Sequence, residues 1–149
     1  MHESQRYGKL ATNGSIRPTC WDRPMTVPPL LGSSLEGDDF TVAEWIDDGE
    51  SSAERPVAPR HVHFIDDEAW YVLEGTLGFN RGDEQLEAPA GSAILVPRGV
   101  VHTYWNAGGG RCRYLIVLTP RIAALIEGLH EPGVDIPKLF ARYASALAE

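Results

Sequence analysis

The sequence predicts an all-β fold, a closed barrel or a sandwich, finished by two C-terminal helices. Short β-like runs follow one another from residue 40 to residue 118. Turn-forming residues separate them at regular spacing, the pattern of a barrel or sandwich. After Thr119 the apolar spacing changes from the period of a strand to that of a helix.

The runs are 40–46, 61–65, 69–73, 76–79, 93–96, 100–105 and 113–118. Between them lie Asp66-Asp67, Gly75, Asn80-Arg81-Gly82-Asp83, Pro89-Ala90-Gly91, Pro97-Arg98-Gly99 and Ala107-Gly108-Gly109-Gly110. Gly75, Gly91 and Gly99 are expected where the chain needs positive φ, and Asn106 suits a turn. Residues 47–59 read as a loop, and the pairs Asp38-Asp39 and Asp47-Asp48 as solvated loop charges. Pro18, Pro24, Pro28 and Pro29 rule out a regular helix near the N-terminus. That stretch is expected to be an arm around the barrel or around a neighbouring subunit.

At the other end, Thr119-Pro120 offers an N-cap followed by proline at the first helical position. Ile122, Leu125, Ile126 and Leu129 follow with helical spacing. Glu131-Pro132-Gly133 breaks the helix, and a second begins after Asp135 with Leu139, Phe140, Tyr143 and Leu147 on its apolar side. Both helices are expected on the outside of the barrel. The organisation is an irregular arm over 1–34, the barrel over 35–118 and a helical segment over 119–149.

One domain of 149 residues can bury a sizeable core. Its formal charge of −8 repels nucleic acid and anionic membrane surfaces. No apolar run approaches the roughly 20 residues of a membrane span, and residues 1–14 lack the apolar core of a signal peptide. Cys20 and Cys112 match no metal-binding spacing and read as two unpaired thiols in a reducing cytosol. A cytoplasmic protein is expected. Exposed sheet edges and the proline-rich arm need covering, which favours a homodimer.

Three of the five histidines fall into an arrangement with chemical meaning. On a strand, His61 and His63 point to one face and Val62 to the other. Glu68 follows the Asp66-Asp67 turn and can return to the same point. His102 lies on a later strand that a closed sheet brings opposite the first. One divalent ion held by His61, His63, Glu68 and His102 is the expectation, with Asp67 replacing Glu68 if the register slips. A set of three imidazoles and one carboxylate admits Fe, Mn, Ni, Cu or Zn. Trp70 shares the inward face with Glu68, and Tyr104 shares it with His102. Trp45, Trp70 and Tyr104 are therefore candidates both for the pocket wall and for ordinary core. His2 and His130 read as surface residues.

These residues resemble the two motifs of the cupin superfamily. The first is similar to His61, His63, Glu68 and Gly75, and the second to Gly91, Pro97, Gly99, His102 and Asn106. The stretch 53–60 holds no glycine where the family's first motif usually opens with one. The resemblance implies a small antiparallel barrel of jelly-roll type with a metal inside. Tyr71-Val72-Leu73-Glu74-Gly75 resembles the quercetin dioxygenase-like cupins in particular. That implies dioxygenase chemistry on a small enolisable or phenolic substrate, flavonol- or diketone-like, with Glu68 and Tyr104 as catalytic candidates. Similar cupins imply two alternatives, a redox-neutral isomerase or polyketide cyclase and a non-catalytic ligand-binding barrel. The motif strands carry no cluster of Lys and Arg, which counts against sugar-phosphate substrates.

Overall fold

The computed structural model describes residues 34–149. Nine strands come first: β1 (Ser34–Glu36), β2 (Thr41–Asp47), β3 (His61–His63), β4 (Glu68–Glu74), β5 (Thr76–Arg81), β6 (Glu84–Pro89), β7 (Ala93–Val96), β8 (His102–Asn106) and β9 (Cys112–Leu118). Two helices follow, α1 (Pro120–Gly128) and α2 (Ile136–Arg142), and then a short strand, β10 (Ser145–Leu147). The strands form two antiparallel sheets in the orders β1-β2-β9-β4-β7 and β10-β3-β8-β5-β6. This is the jelly-roll arrangement expected from the sequence. No helix among the described residues is long and apolar enough to cross a membrane.

Period-two alternation sets what lies between the sheets. Along β9, Cys112, Tyr114, Ile116 and Leu118 are buried and the residues between them are half-buried. Trp70 pairs with Ile116 and Val72 with Tyr114, so β4 presents Glu68, Trp70 and Val72 to the same interior. Leu77, Phe79 and Tyr104 come from the facing sheet and complete the core.

Both helices start where expected. Thr119 Oγ1 accepts from the Ile122 amide at 3.3 Å, and Asp135 Oδ1 accepts from the Lys138 amide at 3.2 Å. The Thr119 hydroxyl also donates to Asp66 Oδ1 at 2.8 Å, fixing the start of α1 to the β3–β4 connection. Three expectations need correction. The helices do not simply cover the outside, because Ile122, Leu125, Ile126 and Leu129 of the α1 segment line an internal cavity. Leu147 is not on α2: that helix stops at Arg142, Ala144 takes φ 51°, and the chain re-enters a sheet as β10. Asp47 is no solvated loop charge but is 7% exposed.

Asp47 instead organises one end of the barrel. Its Oδ1 accepts from the amides of Gly49 at 2.8 Å and Glu50 at 2.7 Å, and the Ser51 hydroxyl donates to Oδ2. Asn106 Nδ2 donates to the Asp47 carbonyl at 3.2 Å and to the Gly110 carbonyl at 2.5 Å. The end of β2 is thus tied to the end of β8 by polar groups. Its neighbour Asp48 is exposed and pairs with Arg111 at 2.7 Å. Burial pushes the Asp47 carboxyl up, but the bonds from Ser51, Glu50, Gly49 and Asn106 outweigh that and hold it below the usual carboxylate range.

Gly75 shows the tightest backbone requirement. Its φ is 78°, and a Cβ there would lie 2.5 Å from the Arg111 carbonyl oxygen and 2.9 Å from Cys112 Cα. Gly99 has a similar φ of 80° but open space around it.

Two expectations follow for stability. Asp47→Ala leaves buried amide donors unpaired and should cost about 2–3 kcal/mol at neutral pH in denaturant titrations. A depressed carboxyl stabilises the fold above its unfolded pKa of about 3.9, so the gap to wild type should close as pH falls through the lower folded value. Gly75→Ala meets both positive φ and backbone overlap and should cost about 2–5 kcal/mol, against about 1–2 kcal/mol for Gly99→Ala.

Candidate metal centre

The centre forms where the inward faces of the two sheets meet. β3 and β8 are neighbours, and His61 stands directly opposite His102. His63 falls on the same face two residues on. Glu68 opens β4 in the other sheet and closes the group from across the interior. The four residues are between 1% and 6% exposed. One ligand atom from each lies within 4.8 Å of all the others. Asp67 stays outside: it is exposed, and its carboxylate accepts from the amide and guanidinium of Arg98. The register therefore turns Glu68 inward.

Each imidazole is held from behind. His61 Nδ1 donates to the Pro59 carbonyl at 2.7 Å, and His102 Nδ1 to the Val100 carbonyl at 3.1 Å. His63 Nδ1 lies 2.6 Å from Ser145 Oγ, whose own proton goes to the Tyr143 carbonyl at 3.1 Å. With that proton on the Tyr143 carbonyl, the serine oxygen accepts from Nδ1–H of His63. With all three protons on Nδ1, the three Nε2 lone pairs face inward.

Those lone pairs are crowded. His61 Nε2 and His63 Nε2 are 3.1 Å apart, His102 Nε2 and Glu68 Oε2 are 2.9 Å apart, and His63 Nε2 and Glu68 Oε2 are 3.2 Å apart. Burial, with the nearby His102, pushes the His61 imidazole down to about 4, so a proton on its Nε2 is disfavoured at neutral pH. Burial pushes the Glu68 carboxyl up, while protons on the facing nitrogens of His102 and His63 outweigh it and hold the carboxyl at about 2; a cation held by the cluster takes the place of those protons. Acceptors that approach this closely can share a cation. The spacings suit adjacent ligands of an ion held at about 2.0–2.2 Å. Three imidazoles favour a transition metal over calcium or magnesium. These four residues can hold one divalent metal ion.

The centre opens into a cavity of about 260 Å³. Trp45, Trp70 and Tyr104 all line it, alongside His61, His63 and Glu68. Trp70 meets the ring of His102 edge-on at 5.9 Å and Tyr104 at 5.3 Å. Burial, then the charge of Glu68, raises the Tyr104 phenol well above its usual range, so it stays protonated. The Trp70 indole N–H lies near that phenol but falls short of hydrogen-bond geometry. Trp45 Nε1 is likewise buried without a hydrogen-bond partner among the described residues. A larger, open groove of about 550 Å³ between β1, β2 and α1 touches none of the four converging residues.

Sequence reasoning missed two groups at the centre. Phe140, assigned to a helix stripe, packs edge-on against His61 at 5.7 Å. Ser145 reaches His63 across 82 residues of sequence, and no spacing rule marks it. His130, read as a plain surface residue, is exposed but stands at the rim of the cavity. Cys112 is a buried free thiol, while Cys20, His2 and most of the expected arm lie outside the described residues.

A comparison with the curated proteins finds no match. Among solved structures, similarity is found to a conserved protein with a double-stranded β-helix domain from Klebsiella pneumoniae. The identity is 22%, over 78% of this chain and 82% of that one, with a TM-score of 0.51. A cupin protein from Bacteroides fragilis is 16% identical over 54% of this chain and 65% of its own, with a TM-score of 0.47. A sugar phosphate isomerase of the cupin superfamily from Silicibacter pomeroyi is 25% identical over 54% and 50%, with a TM-score of 0.46. Residues 52–118 match the cupin domain family, a stretch that holds His61, His63, Glu68 and His102. That match, the double-stranded β-helix likeness and the buried cluster of three histidines and one glutamate together support the cupin superfamily for this chain.

Proposed function

We propose that this protein is a metal-dependent cupin enzyme, a dioxygenase acting on a small enolisable or phenolic substrate such as a flavonol- or diketone-like compound. The observation that carries the reading is a three-histidine, one-glutamate cluster opening into an apolar, aromatic cavity whose lining, among the described residues, contains no Lys or Arg. A divalent ion bound there supplies Lewis acidity toward an enolate or phenolate oxygen and, if redox-active, access to dioxygen chemistry.

The chain's own residues define the rest. An ion of charge 2+ with Glu68 as its one anionic ligand leaves a net charge of about 1+, which attracts an anionic oxygen into an otherwise apolar space. Trp45, Ile116, Ile122, Leu125 and Phe140 exclude water and select flat or apolar bodies. The unpartnered indole N–H of Trp45 is a donor that a substrate oxygen would satisfy. Tyr104 keeps its proton and serves as a hydrogen-bond donor rather than a base. Glu68 Oε2 takes both histidine contacts, so Oε1 is the atom left to accept a proton. A carboxyl held at about 2 is a ligand first. It acts as a base only toward a proton that the ion has made acidic.

A phosphate or a polyol would find fewer polar partners than it needs among the described lining residues, most of which are apolar. Redox-neutral isomerisation or cyclisation is the second reading, because Glu68 and Tyr104 already supply an acceptor and a donor without dioxygen. The homodimeric state and cytoplasmic location expected from the sequence belong to this proposal, and light scattering tests the first of them.

Elemental analysis of protein prepared without added metal should find close to one transition-metal ion per chain. Chelation should lower the melting temperature by about 5–10 °C, since a ligand at a hundred times its Kd contributes about 2.7 kcal/mol. His63→Ala and Glu68→Ala should abolish that shift. Absence of metal even after loading with each candidate ion would leave a binding module. With flavonol- or diketone-like substrates, dioxygen uptake should accompany turnover in air. Turnover that continues unchanged under nitrogen would replace the dioxygenase by the isomerase or cyclase.

A further inference from the structure

We propose that Ser145, on the C-terminal strand β10, is a positioning residue for the metal centre: it orients the ring of His63 and thereby sets the affinity for the ion. The inference rests on the metal-centre reading above. It assigns a role to a segment far from both sequence motifs.

β10 pairs antiparallel with β3, with Ser145 opposite His63, Ala146 opposite Val62 and Leu147 opposite His61. The pairing is continued by the Phe64 amide donating to the Ala144 carbonyl at 2.9 Å and the Ala148 amide donating to the Arg60 carbonyl at 2.9 Å. Ser145 is 2% exposed, so no solvent competes for its hydroxyl. That hydroxyl has one proton, committed to the Tyr143 carbonyl, and its oxygen faces His63 Nδ1 at 2.6 Å. His61 and His102 are held by carbonyls two residues before them in their own segments. His63 alone among the three is held by a residue distant in sequence.

The strand is delivered under constraint. Tyr143 and Ala144 follow α2, and Ala144 takes φ 51°, a conformation that disfavours an alanine. The preceding helix sets Phe140 against His61 at 5.7 Å. The α2–β10 unit therefore touches two of the three imidazoles, through packing at one and hydrogen bonding at the other. A side chain that orients a ligating histidine typically changes metal affinity about 10–100-fold when removed.

The test uses the full chain and Zn²⁺ or Co²⁺ alone, titrated in competition with a chromophoric chelator. Ser145→Ala should bind either ion about 10–100-fold more weakly than wild type, while Ser145→Thr, which keeps the hydroxyl, should recover most of the loss. In metal-free wild type, long-range nitrogen-15 NMR should show the His63 proton on Nδ1, and in Ser145→Ala that preference should weaken. Affinity of Ser145→Ala within about twofold of wild type would overturn the proposal. So would a His63 proton found on Nε2 in the wild type, a readout that does not depend on the variant folding. If wild type binds neither ion and behaves like His63→Ala, the metal-centre reading itself has failed, and this proposal falls with it.

Discussion

A neutral imidazole has one proton and one lone pair, and inside this barrel what lies behind each ring decides which nitrogen keeps which. Backbone carbonyls take the Nδ1 protons of His61 and His102, and the Ser145 oxygen is placed to take that of His63. Three lone pairs and a carboxylate oxygen are then left looking at one another across about 3 Å. The buried core around them is apolar and cannot soften that repulsion. The proton positions and the capacity to hold a cation are therefore one fact seen from two sides. The pairing of β3 with β8, the inward turn of Glu68 and the seating of β10 all serve it.

The rest of the barrel divides labour along its length. At one end, polar groups of the chain satisfy one another: Asp47, Ser51 and Asn106 close the junction of β2 and β8 without needing any ligand. Toward the cavity the opposite holds, with donors and acceptors left over at Trp45, Trp70 and the histidine cluster. Two of the three buried polar side-chain atoms left without a hydrogen-bond partner among the described residues lie on residues that line this cavity, which marks it as a place for a ligand.

The metal cluster was legible in the sequence because period-two alternation puts His61 and His63 on one face. The turn residues flanking Glu68 and His102 made the return of the chain foreseeable. The strands that escaped notice are β1, β6 and β10, and each lies at an edge of its sheet. An edge strand pairs on one side only and need not alternate apolar with polar residues. Glu84–Pro89 reads as polar chain ending in proline, which an edge tolerates. Leu147 fits a helical stripe as well as a strand, so spacing alone could not find β10. Asp47 and Asp48 look alike in sequence, yet one is buried under four donors and the other is exposed. Only the path of the loop from 48 to 51 distinguishes them. Ser145 carried no signal, since its partner lies 82 residues earlier.

The residue that backs His63 comes later in the chain than every donor of the cluster. A ribosome makes the N-terminal side first, and folding follows that order where it can. His61, His63, Glu68 and His102 are all translated before α2 and β10 exist. A growing chain therefore acquires its donor atoms before it acquires the strand that aims one of them. Ion capture before β10 is made would meet a His63 without its serine partner, whereas capture afterwards would meet one that has it. The order in which the polypeptide is built thus separates the chemistry of the donors from the geometry that makes them selective.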